Sequence, residues 1–122
     1  MIKVIVAIAK RADLTVAEFQ DHWRTRHAEL VRGNPATQRY IRKYVQCHTL
    51  PSEYESGAAA YDGTAELWFD SVDDKNAFFS DPDYVRDIQP DEARFADMEK
   101  TVFFVTREET VIGDDQQPPG VV

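Results

Sequence analysis

The chain has 122 residues, enough for one domain with its own core, and an apolar content of 43% with seven Phe, five Tyr and two Trp separates it from disordered chains. Fourteen Lys and Arg against 22 Asp and Glu leave a net charge of -8, which repels a phosphate backbone and argues against nucleic acid as a partner. The lone Cys47 cannot close an intramolecular disulfide, and neither a membrane-length apolar run nor a signal-peptide pattern is seen, so a protein of the reducing cytoplasm with no membrane partner is expected.

Residues 2–9, IKVIVAIA, are β-branched and apolar almost throughout, and the KRADLT break after them favours a strand. The period then changes. Thr15 reads as a helix N-cap, Glu18 three residues later closes a capping box, and Leu14 can staple onto Phe19. From there Val16, Phe19, Trp23, His27, Leu30 and Val31 recur at spacings of three and four, one apolar stripe that ends at Gly33, Asn34 and Pro35. A second strand is expected over about residues 43–50, then the turn-rich PSEYESGAAAYDG, then a third strand over about 64–70. Ser71 and Asp74 suggest a further capped helix running to Phe79, broken by Asp81 and Pro82, with another helical stretch around 91–99. TVFFVTREE is the fourth strand, and residues 111–122 read as a tail to a single domain spanning 1–110.

The order β-α-β-β-α-β is that of an α+β, ferredoxin-like antiparallel sheet with its helices on one face. Strand one nevertheless offers apolar side chains to both sides, as does strand four, where Val102 and Phe104 oppose Phe103 and Val105. Either a second copy packs onto the open face, giving a homodimer, or the tail or the 51–62 loop covers it.

The stretch FQDHWRTRHAELV holds two of the three histidines. Five residues apart on an α-helix, His22 and His27 stand ~140° from one another, so they do not form a metal pair and no metal site is expected. His27 shares the inward stripe of Trp23 and Leu30, whereas His22 falls on the polar face as a bystander. An inward imidazole is either satisfied by a carbonyl or available for proton transfer.

FQDHWRTRHAELV, placed after IKVIVAIAK and the LTVAEF helix start, resembles the EthD-type branch of the dimeric α+β barrel superfamily, whose helix reads F-x-x-(H/Y)-W-x-x-x-H-x-x-L. The resemblance is sharp over about residues 2–32, and topology carries it to about residue 110. It implies a homodimer through the open sheet face, a small-molecule pocket between helix and sheet, and cofactor-free chemistry. His27 then stands at the position of the family's active-site histidine. Tyr40 lies where lactone-isomerising relatives carry an accompanying tyrosine.

Other residues carry two readings. Tyr44 can donate to an enolate or carbonyl oxygen, or be an edge tyrosine. Alternation places Tyr44, Gln46 and His48 on one face of strand two, and His48 becomes an acid/base candidate if that face meets the pocket. Glu66 is either a site residue or rim-exposed, because an unpaired carboxylate in a strand core is costly. Phe19, Trp23, Trp68 and Phe104 are candidate pocket walls, and Cys47 is expected to be a buried, inert thiol. The function expected is a cofactor-free isomerase or cyclase-like enzyme moving protons through His27 on a small lactone, phenolic or polyketide-type carbonyl compound. Cofactor-independent oxygenation of a phenol and non-catalytic small-molecule binding are the alternatives.

Overall fold

The computed structural model describes residues 1–113. Four strands, β1 (Ile2–Ile8), β2 (Ile41–His48), β3 (Gly63–Phe69) and β4 (Val102–Thr106), form one antiparallel sheet in the order β2-β3-β1-β4. The ferredoxin-like order expected from the sequence is therefore the order found. The tail predicted for 111–122 lies, from residue 114 onward, outside the described residues. Among the described residues no helix is long and apolar enough to cross a membrane.

The first connection carries α1 (Val16–His22), a π-helical turn over Trp23–His27 and α2 (Ala28–Gly33). Its start follows the sequence signal: Thr15 Oγ1 accepts from Glu18 N at 3.0 Å, and Glu18 Oε1 accepts from Thr15 N at 2.8 Å. Two short helices were not expected. Asn34-Pro35 ends α2 but caps α3 (Pro35–Tyr40), with Asn34 Oδ1 accepting from Ala36 N at 2.9 Å, and Pro51 opens α4 (Pro51–Glu55).

The second crossover runs through α5 (Val72–Ser80), a second π-helical turn over Tyr84–Ile88, and α6 (Gln89–Phe95). The helical stretch expected at 91–99 thus begins earlier and ends at Phe95, where Arg11 N donates to Phe95 O at 2.9 Å and Asp97 N to Ala9 O at 2.8 Å. Those bonds anchor the end of α6 beside the segment that follows β1. The first turn of α6 lies beside the first helical segment, where Asp91 meets His22 and His27.

Helices cover one face only. Val4, Leu67 and Phe69 from the sheet meet Phe19, Trp23, Phe78, Ile88 and Phe95 from the helices, all buried. Each such side chain contributes roughly 1.5–3 kcal/mol by leaving water. On the other face Lys3 Nζ pairs with Glu66 Oε1 at 2.7 Å and lies over the Trp68 ring, whose Nε1 donates to Glu108 Oε1 at 2.7 Å. That face is mixed rather than uniformly apolar. Cys47 sits there exposed, its Sγ 3.7 Å from Glu66, and not buried as its sequence context suggested.

Candidate active site

The first π-helical turn decides the geometry of the site. Ala28 N donates to Trp23 O, five residues back, so a turn here takes up one more residue than an α-turn and side chains five apart come round to the same side. His22 and His27 are such a pair. The ~140° separation expected of a regular helix is replaced by convergence on one carboxylate, Asp91 of α6. His27 Nδ1 lies 2.9 Å from Asp91 Oδ2, and His22 Nε2 lies 3.0 Å from each Asp91 oxygen. His22 is thus no bystander: it is half-buried and shares its partner with His27.

Asp91 is fully buried, with Arg94 Nη1 at 3.3 Å and Arg26 Nε at 3.9 Å. Burial pushes its carboxyl up, but hydrogen bonds from His27 and His22 outweigh this and hold it below the usual carboxylate range. An ionised Asp91 requires a proton on His27 Nδ1. Nε2 is then left as the basic nitrogen, and it finds no hydrogen-bond partner among the described residues. Burial also lowers the imidazole of His27, more than the Asp91 hydrogen bond and charge raise it, so the ring is a neutral base at ordinary pH. The Phe95 ring packs against both imidazoles, with centroids 4.8 Å from His27 and 5.4 Å from His22, and fixes their planes.

His27 borders a cavity of about 590 Å³ between the helices and the sheet, walled by apolar residues of β1, β3, β4 and α5 and by a few polar groups, among them Tyr44, Tyr84 and Glu92. Glu92 neighbours Asp91 on α6 but faces the cavity, where Tyr84 Oη donates to its carboxylate at 2.9 and 3.1 Å. Burial, assisted by the charge of Asp91 and opposed by the Tyr84 hydrogen bond, raises Glu92 to about 7. Two carboxyl groups adjacent in sequence are therefore driven in opposite directions. One stays ionised behind the base, and the other holds a proton near neutrality.

Of the residues singled out from the sequence, His27, Trp23 and Tyr44 border the cavity. Phe19 lies behind it, packed on Trp23 and Phe95. The face of β2 bearing Tyr44, Gln46 and His48 does point toward the helices, but His48 stacks on Trp23 at 4.4 Å, pairs with Gln46 Oε1 at 2.9 Å, and is not part of the cavity wall. Tyr40 ends α3 at the margin of the core and is likewise absent from the wall. Glu66, Trp68 and Phe104 are on the open face: Glu66 pairs across the sheet with Ile5, and Ile5 with Phe104, in the register opposite to the cavity-lining Val6 and Phe103. Strand alternation alone separates Phe103 from Phe104.

Asp91, Glu92 and Tyr84 carry no local signal in the sequence. Asp91 meets His27 across 64 positions, and acidic residues in the first turn of a helix ordinarily do no more than favour its dipole. Among the described residues no group of three or more His, Cys, Asp or Glu side chains is arranged to hold a metal ion.

The chain is 25% identical over 130 aligned positions to the dehydratase aurZ of Gibberella zeae, a match spanning 98% of this chain and 84% of that protein. Among solved structures it resembles an EthD family protein from Bacillus halodurans at 18% identity, with a TM-score of 0.67 over 89% of this chain and 99% of that one. It also resembles a dimeric ferredoxin-like protein of unknown function from Bacteroides fragilis, at 19% identity and a TM-score of 0.66 over 88% and 95% of the two chains. These structural likenesses establish the shared fold. The EthD domain model matches residues 11–99, from the segment after β1 to the end of the second crossover, and the chain belongs to the EthD family.

Proposed function

We propose that the protein is a cofactor-free enzyme that moves protons on a small carbonyl compound, and that the reaction is the elimination of water. The observation that carries this is the buried Asp91 holding Nδ1 of His27, which leaves Nε2 as a base at the edge of an apolar cavity that also holds Glu92 as an acid. His27 Nε2 takes a proton from carbon, that bonding pair forms the new double bond, and the C–O bond breaks as Glu92 gives its proton to the departing hydroxyl, which leaves as water. Solvent then removes the proton from His27 and restores the one on Glu92. Isomerisation or cyclisation would use the same base, and elimination is placed first because the relative from Gibberella zeae is a dehydratase.

The test is a panel of small hydroxycarbonyl compounds followed by the ultraviolet absorbance of the conjugated product, with dissolved oxygen recorded in parallel. The expected result is product without oxygen uptake and a loss of about 10²–10⁴-fold in His27→Ala. A loss below tenfold would remove His27 from its role, and oxygen uptake matching turnover would favour a cofactor-independent oxygenase.

The same proposal includes a homodimer through the open sheet face. Val102 and Phe104 are 43% and 48% exposed there, and the Bacteroides fragilis neighbour is dimeric. A monomeric mass by light scattering at micromolar concentration would refute it.

A further inference from the structure

Most of the cavity wall is apolar, and its polar groups are unevenly placed. One set is the pair of Tyr84 and Glu92, bonded to each other. Another lies on α5, where Lys75, Asn76, Phe79 and Ser80 border the cavity, positions about one helical turn apart and therefore on one face. Phe79 stands edge-on to Phe103 of β4 at 5.5 Å, so this face of α5 looks toward the strand across the margin of the cavity. The cavity opens on this side, since Phe103 and Met98 line it and are still 47% and 51% exposed.

Lys75 is the one cation of this wall among the described residues. Three other lysines are occupied: Lys3 pairs with Glu66 at 2.7 Å, Lys10 Nζ donates to Leu14 O at 2.8 Å, and Lys43 Nζ lies over the Trp68 ring at 4.8 Å. The backbone N–H of Lys75 donates to Ser71 O, but its ammonium has no hydrogen bond or ion pair among the described residues. The residue is half-exposed, so a ligand can reach it. Its acidic neighbours on α5, Asp73 and Asp74, stand outside the wall. Glu92, the carboxyl within the wall, holds a proton up to about 7 and does not neutralise Lys75 below that pH.

An ammonium beside apolar space attracts a negative charge more strongly than one surrounded by water. It balances one charge only. A dianionic phosphate would bring an uncompensated charge to an apolar wall, and no Arg stands in that wall among the described residues to share it. A carboxylate meets both conditions.

We infer that Lys75 binds a carboxylate of the substrate at the mouth of the cavity, while the rest of the molecule reaches inward to the buried His27. This deepens the proposed elimination and rests on it, narrowing the substrate to an apolar hydroxycarbonyl compound that carries one carboxylate. Lys75 passes no proton and forms no covalent bond. It determines which compounds are held.

The experiment compares trans-cinnamate with cinnamamide, which share a shape and differ in charge, by titration calorimetry at about pH 6 and low salt. The unaltered protein is expected to bind the carboxylate about tenfold more tightly than the amide. Lys75→Gln should bind the two alike, with its affinity for the amide unchanged. Lys100→Gln, which removes the same charge outside the cavity wall, should keep the preference. The inference is overturned if the unaltered protein binds the amide as tightly as the carboxylate, if neither binds at millimolar concentration, if Lys75→Gln retains the preference, or if Lys100→Gln loses it equally. The preference as described with no dehydration of any hydroxycarbonyl compound would leave the carboxylate site standing and remove the reaction. Dehydration abolished by His27→Ala with no preference for the charged probe would do the reverse.

Discussion

The sheet has two faces built from the same four strands, and they use charge in opposite ways. On the open face the ion pair of Lys3 and Glu66 keeps some contact with water and lies beside an exposed cysteine and a tryptophan. Under the helices a single carboxylate, Asp91, is fully buried and meets two imidazoles at 2.9–3.0 Å. A partly exposed pair contributes modestly to folding and leaves no neighbouring base fixed in one protonation state. A buried, fully bonded carboxylate does the second at the expense of the first, which is the signature expected of a site rather than of a scaffold.

The contrast breaks most visibly if Asp91 loses its charge. Asp91→Asn would leave an amide whose nitrogen opposes one of the two imidazole donors, so the His27 tautomer is no longer fixed; a loss of roughly 10²-fold or more in turnover is expected, read by steady-state kinetics beside a thermal melt that shows the chain still folded. His22→Leu should be milder, since His27 keeps its own bond to Asp91. A loss of about tenfold with a changed ¹⁵N pattern for the His27 ring would show that His22 steadies the carboxylate, and an unchanged ring would show that it does not.

Glu92 sharpens the comparison through pH. Its carboxyl releases a proton near 7 in the folded chain and near its ordinary 4.5 when unfolded, so the group favours folding below about pH 4.5, and that advantage is lost as pH rises to about 7. Glu92→Gln should therefore be more stable than the unaltered protein at pH 8, by roughly 1–3 kcal/mol, and nearly equal to it at pH 4. For turnover, His27 must be neutral and Glu92 protonated, which predicts a rate that falls on the alkaline side near pH 7; the residual activity of Glu92→Gln should lack that limb.

On the open face, Phe104→Asp should abolish the dimer in light scattering with little change in the near-ultraviolet signature of the helix-covered core. Glu66→Gln gives the smallest effect, within about 1 kcal/mol in denaturant unfolding, because Lys3 keeps Glu108 as a second carboxylate partner at 3.5 Å.

Much of the frame was legible in the chain. The capping box at Thr15 and Glu18, the apolar stripe through Trp23 and His27, and the alternation that separates Tyr44 from Val45 are local patterns, and local patterns survive folding when the core agrees with them. Tyr40 was assigned by position in a resembling family, and the structure instead brings Tyr44 and Tyr84 to the cavity. Trp68 and Phe104 were apolar enough to be walls, but which face of a strand becomes the wall depends on which side the helices cover.

The sequence by itself determined an α+β chain with a helix that turns His27 inward, because helix caps and hydrophobic period act over a few residues. Only the tertiary structure decided what that histidine is for. The extra residue in the π-helical turn brings His22 round to the same side, and the anchoring of α6 delivers Asp91 to both rings from 64 positions away. Neither is written in a local pattern, since a carboxylate becomes a partner through burial and distance, and both are properties of the packed chain.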